Sequence, residues 1–324
     1  MNVLYIYGNG FDINQGLKTS YPDFYDYLSS QEINNPLMNK LIKEIRKNVE
    51  LWSDMEEAFG LRFTPGLKSY EELTEFYYNL TNHLQKYLKM QQEAFTPSDK
   101  QKTKFIKDFT SFGSGVVDRD KGRFETFKQS FKQIGNTLNV ISFNYTKTLE
   151  RLLSTGKNNN NEIKKYFGAG VPPLHKIVHV NGILDKTIFV GVNDESQIAN
   201  ERIRDVEGVR DLLIKSQSDN ACGKTTYKTG QNLIEKANLI IIYGVSLGET
   251  DKNWWNLIGS QMKSRNDVAV IYYAYEPNKI TPTQMQMLAE MEREYTNKLH
   301  QKFGTNDEVE DRYFFVFNSS IYRE

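Results

Sequence analysis

A glycine loop near the start of the sequence has residue types suited to holding a nucleotide. The loop reads GNGFD at positions 8–12 and follows a short apolar run at positions 3–7. Glycine has no Cβ, so backbone amides in such a loop can approach a phosphate or a ribose closely. Glycines after a strand can also simply make the turn, and that alternative stays open. The ligand contacts predicted in this loop are Gly8, Asn9, Gly10 and Asp12.

This loop lacks the dinucleotide fingerprint of dehydrogenases. That fingerprint needs a third glycine, an immediate helix, and an acidic residue about 20 positions on at the end of a second strand. Position 13 is isoleucine, and helix-like sequence stands where the second strand should be. Hydride transfer is therefore disfavoured.

A polar residue, Asn144, ends a second apolar run in the segment SFNYT at positions 142–146. Open α/β sheets bind their ligands at the carboxyl ends of their strands, where Asn144 would lie. Its neutral amide can hold ribose hydroxyls or orient a water molecule. The alternative is that Asn144 or Thr146 only caps the helix that follows.

His179 lies near the end of a third strand-like run, before Asn181 and Gly182. Imidazole is the side chain suited to proton transfer near neutral pH, although a lone histidine is more often structural. His175 and His179 would share one face of a strand, but no third metal ligand is visible. We therefore predict His179 as a candidate catalytic residue and predict no metal.

The segment YGVSLGETD at positions 243–251 repeats the pattern of a buried strand that opens into glycines and hydroxyls. Its loop amides and Ser246 can receive a second part of the same nucleotide. Alternatively, Thr250 or Asp251 only caps the next helix. The ligand contacts predicted here are Gly244, Ser246 and Asp251.

Two further segments are interpreted structurally. In WSDMEEAF at positions 52–59, Ser53 and Glu56 are predicted to form a capping box at a helix start, and no carboxylate here is assigned to the site. The segment CGKT at positions 222–225 resembles part of a phosphate-binding loop. Ser218 stands where its first glycine should be and no clear strand precedes it, so that interpretation is rejected.

The elements that must position these residues indicate an α/β fold. Strand-like runs alternate with helical patterns, which predicts a Rossmann-like, mostly parallel sheet with helices on both faces. A helix is predicted to begin near Tyr21, with Ser20 and Asp23 as a capping box and Pro22 in its first turn. Residues 36–135 are predicted to be a helical insertion in a single domain, 1–324. The predicted strands are 3–7, 139–143, 176–180, 188–190, 239–243, 268–275 and 313–317.

Composition excludes several classes of protein. The 41 basic and 41 acidic residues balance, so no overall positive field attracts nucleic acid. Cys222 is the only cysteine, which fits a reducing compartment. The first residues have no basic leader, and the apolar runs have strand length, far below the roughly 20 residues of a membrane span. We expect a cytoplasmic protein that neither enters a membrane nor binds nucleic acid.

The order GNGFD, SFNYT and YGVSLGETD resembles the bacterial abortive-infection family AbiH. Positions 16–24 and WSDMEEAF are similar to that family too, so the resemblance spans nearly the whole chain. The family in turn resembles, more distantly, the sirtuin-like (DHS-like) NAD-binding fold. By that resemblance Gly8 and Gly10 match its first glycine loop, Asn144 its asparagine, His179 its histidine, and Gly244 with Ser246 its last loop.

Three departures from the sirtuin-like pattern stand out. Thr146 replaces an aspartate, and Asn181 separates His179 from Gly182, where histidine and glycine are often closer together. Zinc-binding cysteines are also missing, which argues against a protein deacylase of the true sirtuin kind.

The resemblance implies an antiphage protein that binds NAD and cleaves its nicotinamide glycosidic bond when a phage-derived trigger is present. Asn144 would orient ribose and water, His179 would act as a general base, and Asp12 would stabilise the developing cation. Oligomer state or the helical insertion would hold the enzyme inactive. An alternative is a non-catalytic NAD- or ADP-ribose-sensing module that acts through a partner. A nuclease is disfavoured by the neutral charge and by the lack of a paired-carboxylate metal motif.

Overall fold

A parallel β-sheet forms the centre of the molecule. The computed structural model describes residues 1–132, 135–154, 174–276, 285–319 and 321–322. All neighbouring strands of the sheet pair in parallel, in the order β3-β2-β1-β4-β5-β6. The predicted Rossmann-like α/β fold is therefore confirmed. The strands are β1 (Asn2–Tyr7), β2 (Thr137–Ser142), β3 (Leu174–His179), β4 (Leu239–Tyr243), β5 (Ala269–Ala274) and β6 (Tyr313–Phe317).

The strands form where the sequence has apolar runs because both faces of the sheet are covered. In β1, Val3 and Tyr5 pack in one hydrophobic core, whereas Leu4 and Ile6 pack in the other. This alternation follows from the two-residue period of a strand. Continuous apolar sequence is thus what a doubly covered parallel sheet requires.

The predicted strand at 188–190 is wrong. Ile188 forms only an isolated antiparallel bridge with Gly182 and does not join the sheet. Ile188 and Val190 are buried against helices rather than strands. An apolar run indicates that a segment is buried, but not whether it is buried in a sheet or among helices. This segment is buried among helices.

Helices occupy the connections between the strands. Ser20 and Asp23 form the predicted capping box at the start of α2. The helices are α1 (Asn9–Asn14), α2 (Tyr21–Ser30), α3 (Pro36–Lys47), α4 (Met55–Ala58), α5 (Tyr70–Ala94), α6 (Asp99–Thr110), α7 (Lys121–Gln129), α8 (Thr148–Leu153), α9 (Glu201–Arg204), α10 (Glu207–Leu213), α11 (Lys215–Ala221), α12 (Thr226–Lys236), α13 (Lys252–Ser264) and α14 (Met285–Phe303).

The predicted capping box of Ser53 and Glu56 is wrong. Asp54 caps α4 instead, and its Oδ1 accepts hydrogen bonds from the backbone N–H groups of Glu56 and Glu57, both at 3.1 Å. Ser53 has helical backbone angles, as the end of the preceding 3₁₀ turn. The Glu56 carboxylate is therefore not needed as a cap, and it turns inward.

Three hydrophobic cores organise these elements. One face of the sheet packs against α6, α7 and α8, and the opposite face packs against α12, α13 and α14. The third core joins α2 to α5 with residues 184–214 and does not include the sheet strands. The residues between β1 and β2 thus contribute to two cores. Helices α6 and α7 pack on the sheet, whereas α2 to α5 form the core beside it.

The strand order fixes where a ligand can enter. The connections from β1 lead to one side of the sheet and those from β4 lead to the other, so a crevice opens at the carboxyl ends of β1 and β4. This order and this crevice are those of dinucleotide-binding Rossmann sheets. In the described part of the chain, no helix is both long enough and apolar enough to cross a membrane.

Candidate functional site

A cavity of about 360 Å³ lies at the carboxyl edge of the sheet. Its sheet side consists of the loops after β1, β2 and β4 with Asn181 after β3. Its helical side consists of residues 20–22, Phe24, Ser53, Asp54, Glu56 and two leucines of α5. The volume is within the range of small-molecule sites, roughly 300–1,000 Å³. Its polar lining side chains include Asp12, Asp54, Glu56, Asn144, Asn181 and Asp251.

Asp12 is the buried centre of a hydrogen-bond network on the sheet side. Asn144 Nδ2 donates to Asp12 Oδ1 at 3.1 Å, and the Thr146 hydroxyl donates to Asp12 Oδ2 at 2.5 Å. The Thr148 hydroxyl in turn donates to the Thr146 oxygen at 3.0 Å. The structure thus brings together two predicted site residues, Asp12 and Asn144, which are 132 positions apart in the sequence.

Burial raises the pKa of Asp12 to about 6, while hydrogen bonds from Thr146, Thr148 and Asn144 act in the opposite direction. Water exclusion penalises the charged carboxylate, and the donors recover part of that penalty. Asp12 is therefore ionised at pH 7 but gains a proton in mild acid. A carboxylate of this kind can stabilise positive charge on a bound ligand.

Asn144 has its amide oxygen available to a ligand. Its Nδ2 is committed to Asp12, and among the described residues its Oδ1 makes no hydrogen bond. The side chain lines the cavity, and 7% of the residue is exposed. The amide is consequently fixed in one orientation, with the nitrogen towards Asp12 and an acceptor left for a hydroxyl or a water.

His179 lies behind Asn144 and is not among the residues that line this cavity. Its Nδ1 is 2.9 Å from the backbone oxygen of Asn144, and its Nε2 is 2.7 Å from Glu150 Oε1. Burial lowers the pKa of His179, but Glu150, the Asn144 carbonyl and Asp12 outweigh it and raise the pKa overall. Because a carbonyl and a carboxylate both accept, we assign the ring as donating from both nitrogens. A doubly protonated ring cannot accept a further proton.

The predicted glycines bring the two loops into backbone contact. A Cβ on Gly8 would lie 2.6 Å from the Gly244 oxygen, and one on Gly10 would lie 2.6 Å from the Gly244 Cα. Gly244 has a φ of 67°, in the region that favours glycine, and its oxygen accepts from the Gly10 N–H at 2.9 Å. This contact alone requires glycine at all three positions.

The other predicted contacts are divided between the loop framework and the cavity. Asn9 bonds to Thr19 through both atoms of its amide, at 2.8 and 2.5 Å, and so ties the first loop to the start of α2. Ser246 is exposed and lines the cavity. Asp251 also lines it and makes an ion pair that sequence reasoning missed.

That ion pair belongs to a cluster of three charged residues, in which Lys215 and Glu56 are buried and Asp251 is partly exposed. Lys215 Nζ lies 2.7 Å from Glu56 Oε2 and 3.0 Å from Asp251 Oδ1. Glu56 Oε1 accepts from the Gly191 N–H at 3.2 Å, and the Tyr145 hydroxyl lies 3.3 Å from this oxygen and 3.1 Å from the Phe189 carbonyl oxygen. Lys215 is 3% exposed and Glu56 is 5% exposed. The cluster joins α4, α11 and the loop after β4.

Burial raises the pKa of Glu56 to about 7, with Lys215 opposing the rise and Asp251 and Asp54 adding to it. Burial lowers the pKa of Lys215, but the two carboxylates outweigh it and raise the pKa overall. The lysine is therefore charged, and one cation is shared between two carboxylates. A cluster with one excess negative charge in a dry site takes up a proton readily.

A comparison with known protein families gives the family of this chain. Residues 4–273 match the family model described as bacteriophage abortive infection AbiH. The chain belongs to the AbiH family. Membership points to a role in phage abortive infection. Among the curated proteins compared with the chain, none matches it.

The segments that resemble AbiH meet at the cavity. GNGFD supplies Asp12, SFNYT supplies Asn144, WSDMEEAF supplies Glu56 and YGVSLGETD supplies Asp251. The first two segments make the Asp12 network, and the last two share Lys215. The segments of the AbiH pattern therefore build two neighbouring carboxylate sites in one cavity.

The cavity of this AbiH protein is acidic. Four carboxylates line it, and none of the described residues in its lining is lysine, arginine or histidine. Lys215 lies behind two of the carboxylates rather than in the lining. The inner part of the cavity therefore favours hydroxyl groups and positive charge.

Proposed function

We propose that this AbiH protein binds NAD in the cavity and hydrolyses its nicotinamide glycosidic bond when a phage-derived trigger is present. The observation that carries the proposal is the Asp12–Asn144 hydrogen bond at the carboxyl edge of the sheet, between the loops after β1 and β2. It places a fixed amide oxygen beside a buried carboxylate. The amide oxygen can accept a hydrogen bond from a ribose hydroxyl, and the carboxylate can stabilise a ribosyl cation.

The proposed reaction breaks the bond between ribose C1′ and the nicotinamide nitrogen. The electron pair leaves with nicotinamide, and the oxygen of a water molecule bonds to C1′. Asn144 Oδ1 accepts from a ribose hydroxyl or from the water, and ionised Asp12 stabilises the positive charge on the ribose. The phosphates would lie beside the first glycine loop, whose glycine N–H groups bond to the backbone of residues 243 and 244, and Ser246 would hold the adenosine portion.

His179 has a positioning role in this proposal. Its ring holds the backbone oxygen of Asn144 and is anchored by Glu150. The general-base role predicted from the sequence would require the ring to lose a proton and to turn towards the cavity. We therefore expect a His179→Gln variant to retain measurable activity, whereas Asn144→Ala loses nearly all of it.

The test is nicotinamide release from NAD by the purified protein, alone and with lysate from phage-infected cells. We expect Asn144→Ala to abolish release. The matched control is Asn238→Ala, because Asn238 is also buried but bonds to Asn2 and Asp267 at the opposite edge of the sheet. NAD binding without release in either condition would contradict hydrolysis and favour a nucleotide-sensing module.

A further inference from the structure

The helical side of the cavity contributes a carboxylate of its own. Glu56 comes from α4, lines the cavity and is nevertheless 5% exposed. Lys215 and the Gly191 N–H hold its two oxygens, and the shared Tyr145 hydroxyl lies beside one of them. The carboxylate is thus held in one place beside Asp251, at the edge of the space where a ligand would lie.

A purely structural explanation of this cluster is a buried ion pair that fastens the helices to the sheet. Such pairs are a poor source of stability, because removing two charges from water costs about as much as their attraction returns. A pair of apolar side chains would fasten the two parts at least as well. A role in the cavity explains why Glu56 and Asp251 both line it, whereas the lysine between them does not.

We propose that Glu56, held in place by Lys215, contacts the ribose of the bound nucleotide and accepts the proton of the water that attacks C1′. This inference rests on the proposed function and adds a residue that the sequence did not assign to the site. Glu56 would be a catalytic residue, and Lys215 would be its positioning residue.

The proton balance of the reaction gives Glu56 a defined task. As the water oxygen bonds to C1′ and nicotinamide leaves with the bonding electrons, one proton of the water must be removed. The Glu56 carboxylate accepts it and later releases it to solvent. Asp12 stays ionised throughout, so one carboxylate stabilises charge and the other carries the proton.

The surroundings of Glu56 allow it to change protonation near neutral pH. Protonation of one carboxylate leaves a neutral pair of Lys215 and the other carboxylate, which a dry site favours. The charged and titratable groups that face Glu56 from the elements around it are Lys215 of α11, Asp251 after β4, Asp54 before α4, Tyr145 after β2, Tyr21 of α2 and Tyr77 of α5.

A direct test follows the Glu56 carboxyl by ¹³C NMR in protein labelled at the glutamate δ-carbon. The signal is assigned by its loss in Glu56→Gln, and ADP-ribose is the probe because its binding requires no turnover. We expect ADP-ribose to move the titration midpoint of this signal by at least half a pH unit. Binding of ADP-ribose, seen by calorimetry, with the Glu56 signal unmoved would overturn the inference, as would no binding of ADP-ribose.

Kinetics separate this inference from the proposed function. If the wild type releases nicotinamide, we expect Glu56→Gln to lower kcat at least 100-fold with KM within threefold. A Glu56→Gln rate within threefold of the wild type would overturn the role of Glu56 and leave NAD hydrolysis standing. A wild type that releases nothing, but whose Glu56 signal responds to ADP-ribose, would overturn hydrolysis and support the contact.

Lys215 is tested by its conservative replacement. We expect Lys215→Arg to retain folding and to shift the pH profile of kcat, because it changes the cation beside Glu56. Lys252→Arg is the matched control, since Lys252 makes a 3.1 Å ion pair with Asp194 at the surface and is not in the cavity. Equal pH profiles for both variants would contradict positioning of Glu56 by Lys215.

Discussion

The two sides of the cavity keep a carboxylate dry in different ways. On the sheet side, Asp12 is held by neutral donors, the amide of Asn144 and the hydroxyl of Thr146. On the helical side, Glu56 is held by a full cation, Lys215, which it shares with Asp251. Both carboxylates have raised pKa values because burial dominates in each case.

This difference predicts how much stability each carboxylate loses when its partner is removed. A neutral donor contributes a hydrogen bond without adding a buried charge of its own. A buried cation neutralises its partners, but its removal leaves them as unpaired buried charges, which cost far more than a missing hydrogen bond. The helical side should therefore be the more fragile of the two.

The largest expected effect is the loss of the Lys215 charge. We predict that Lys215→Met lowers the free energy of unfolding by about 3–5 kcal/mol, because buried Glu56 then lies beside Asp251 without a cation. Urea denaturation at pH 7 measures the loss. Lys252→Met, at the surface pair with Asp194, should cost at most about 1 kcal/mol. Equal losses in the two variants would show that burial of the cluster is unimportant.

The next effect concerns pH and the Asp12 side. The pKa of Asp12 is raised from 3.8 to about 6, so the folded state binds a proton more readily than the unfolded state. Its contribution to stability is therefore greatest below pH 3.8 and declines as the pH rises through about 6. Relative to Asp12→Asn, we predict that the wild type loses up to about 3 kcal/mol between pH 4 and pH 7.

Thermal or urea unfolding at closely spaced pH values measures this difference. Glu56→Gln should give a curve of the same sign but displaced to higher pH, since the pKa of Glu56 is raised to about 7. If the wild type instead gained stability relative to either variant as the pH rose, hydrogen-bond donors rather than burial would determine the pKa of that carboxylate.

Much of the framework could be predicted from the sequence, because strands and glycine loops are local patterns. Apolar runs before GNGFD and before SFNYT became β1 and β2, and their ends meet because parallel strands share one carboxyl edge. The run at 188–190 shows the limit of that reasoning, since burial against helices gives the same pattern as burial in a sheet.

The helical side could not be predicted in the same way. Glu56 and Lys215 are 159 positions apart, and each stands in a segment that reads as an ordinary amphipathic helix. A charged residue in such a segment normally faces solvent, so only the folded structure reveals the pair. The one local signal is that Lys215 directly follows three apolar residues, at positions 212–214.

A smaller effect is expected from the neutral donor of the sheet side. We predict that Thr146→Val costs about 1–3 kcal/mol, because Asp12 loses the donor at 2.5 Å and stays buried. Thr126→Val is the matched control, since that hydroxyl bonds to a carbonyl of α7 in an exposed position. If Thr146→Val proved costlier than Lys215→Met, the neutral network would be the more fragile side, and the comparison would be reversed.

The smallest effect separates two adjacent residues that serve opposite sides of the cavity. The Tyr145 hydroxyl is shared between Glu56 at 3.3 Å and the Phe189 carbonyl at 3.1 Å, whereas the Thr146 hydroxyl donates to Asp12. Glu56 Oε1 also accepts from the Gly191 N–H, and Lys215 holds the other oxygen, so one weak donor matters little there. We predict that Tyr145→Phe costs at most about 1 kcal/mol in urea denaturation. A loss as large as that of Thr146→Val would contradict the prediction that this shared hydroxyl matters less than the donor to Asp12.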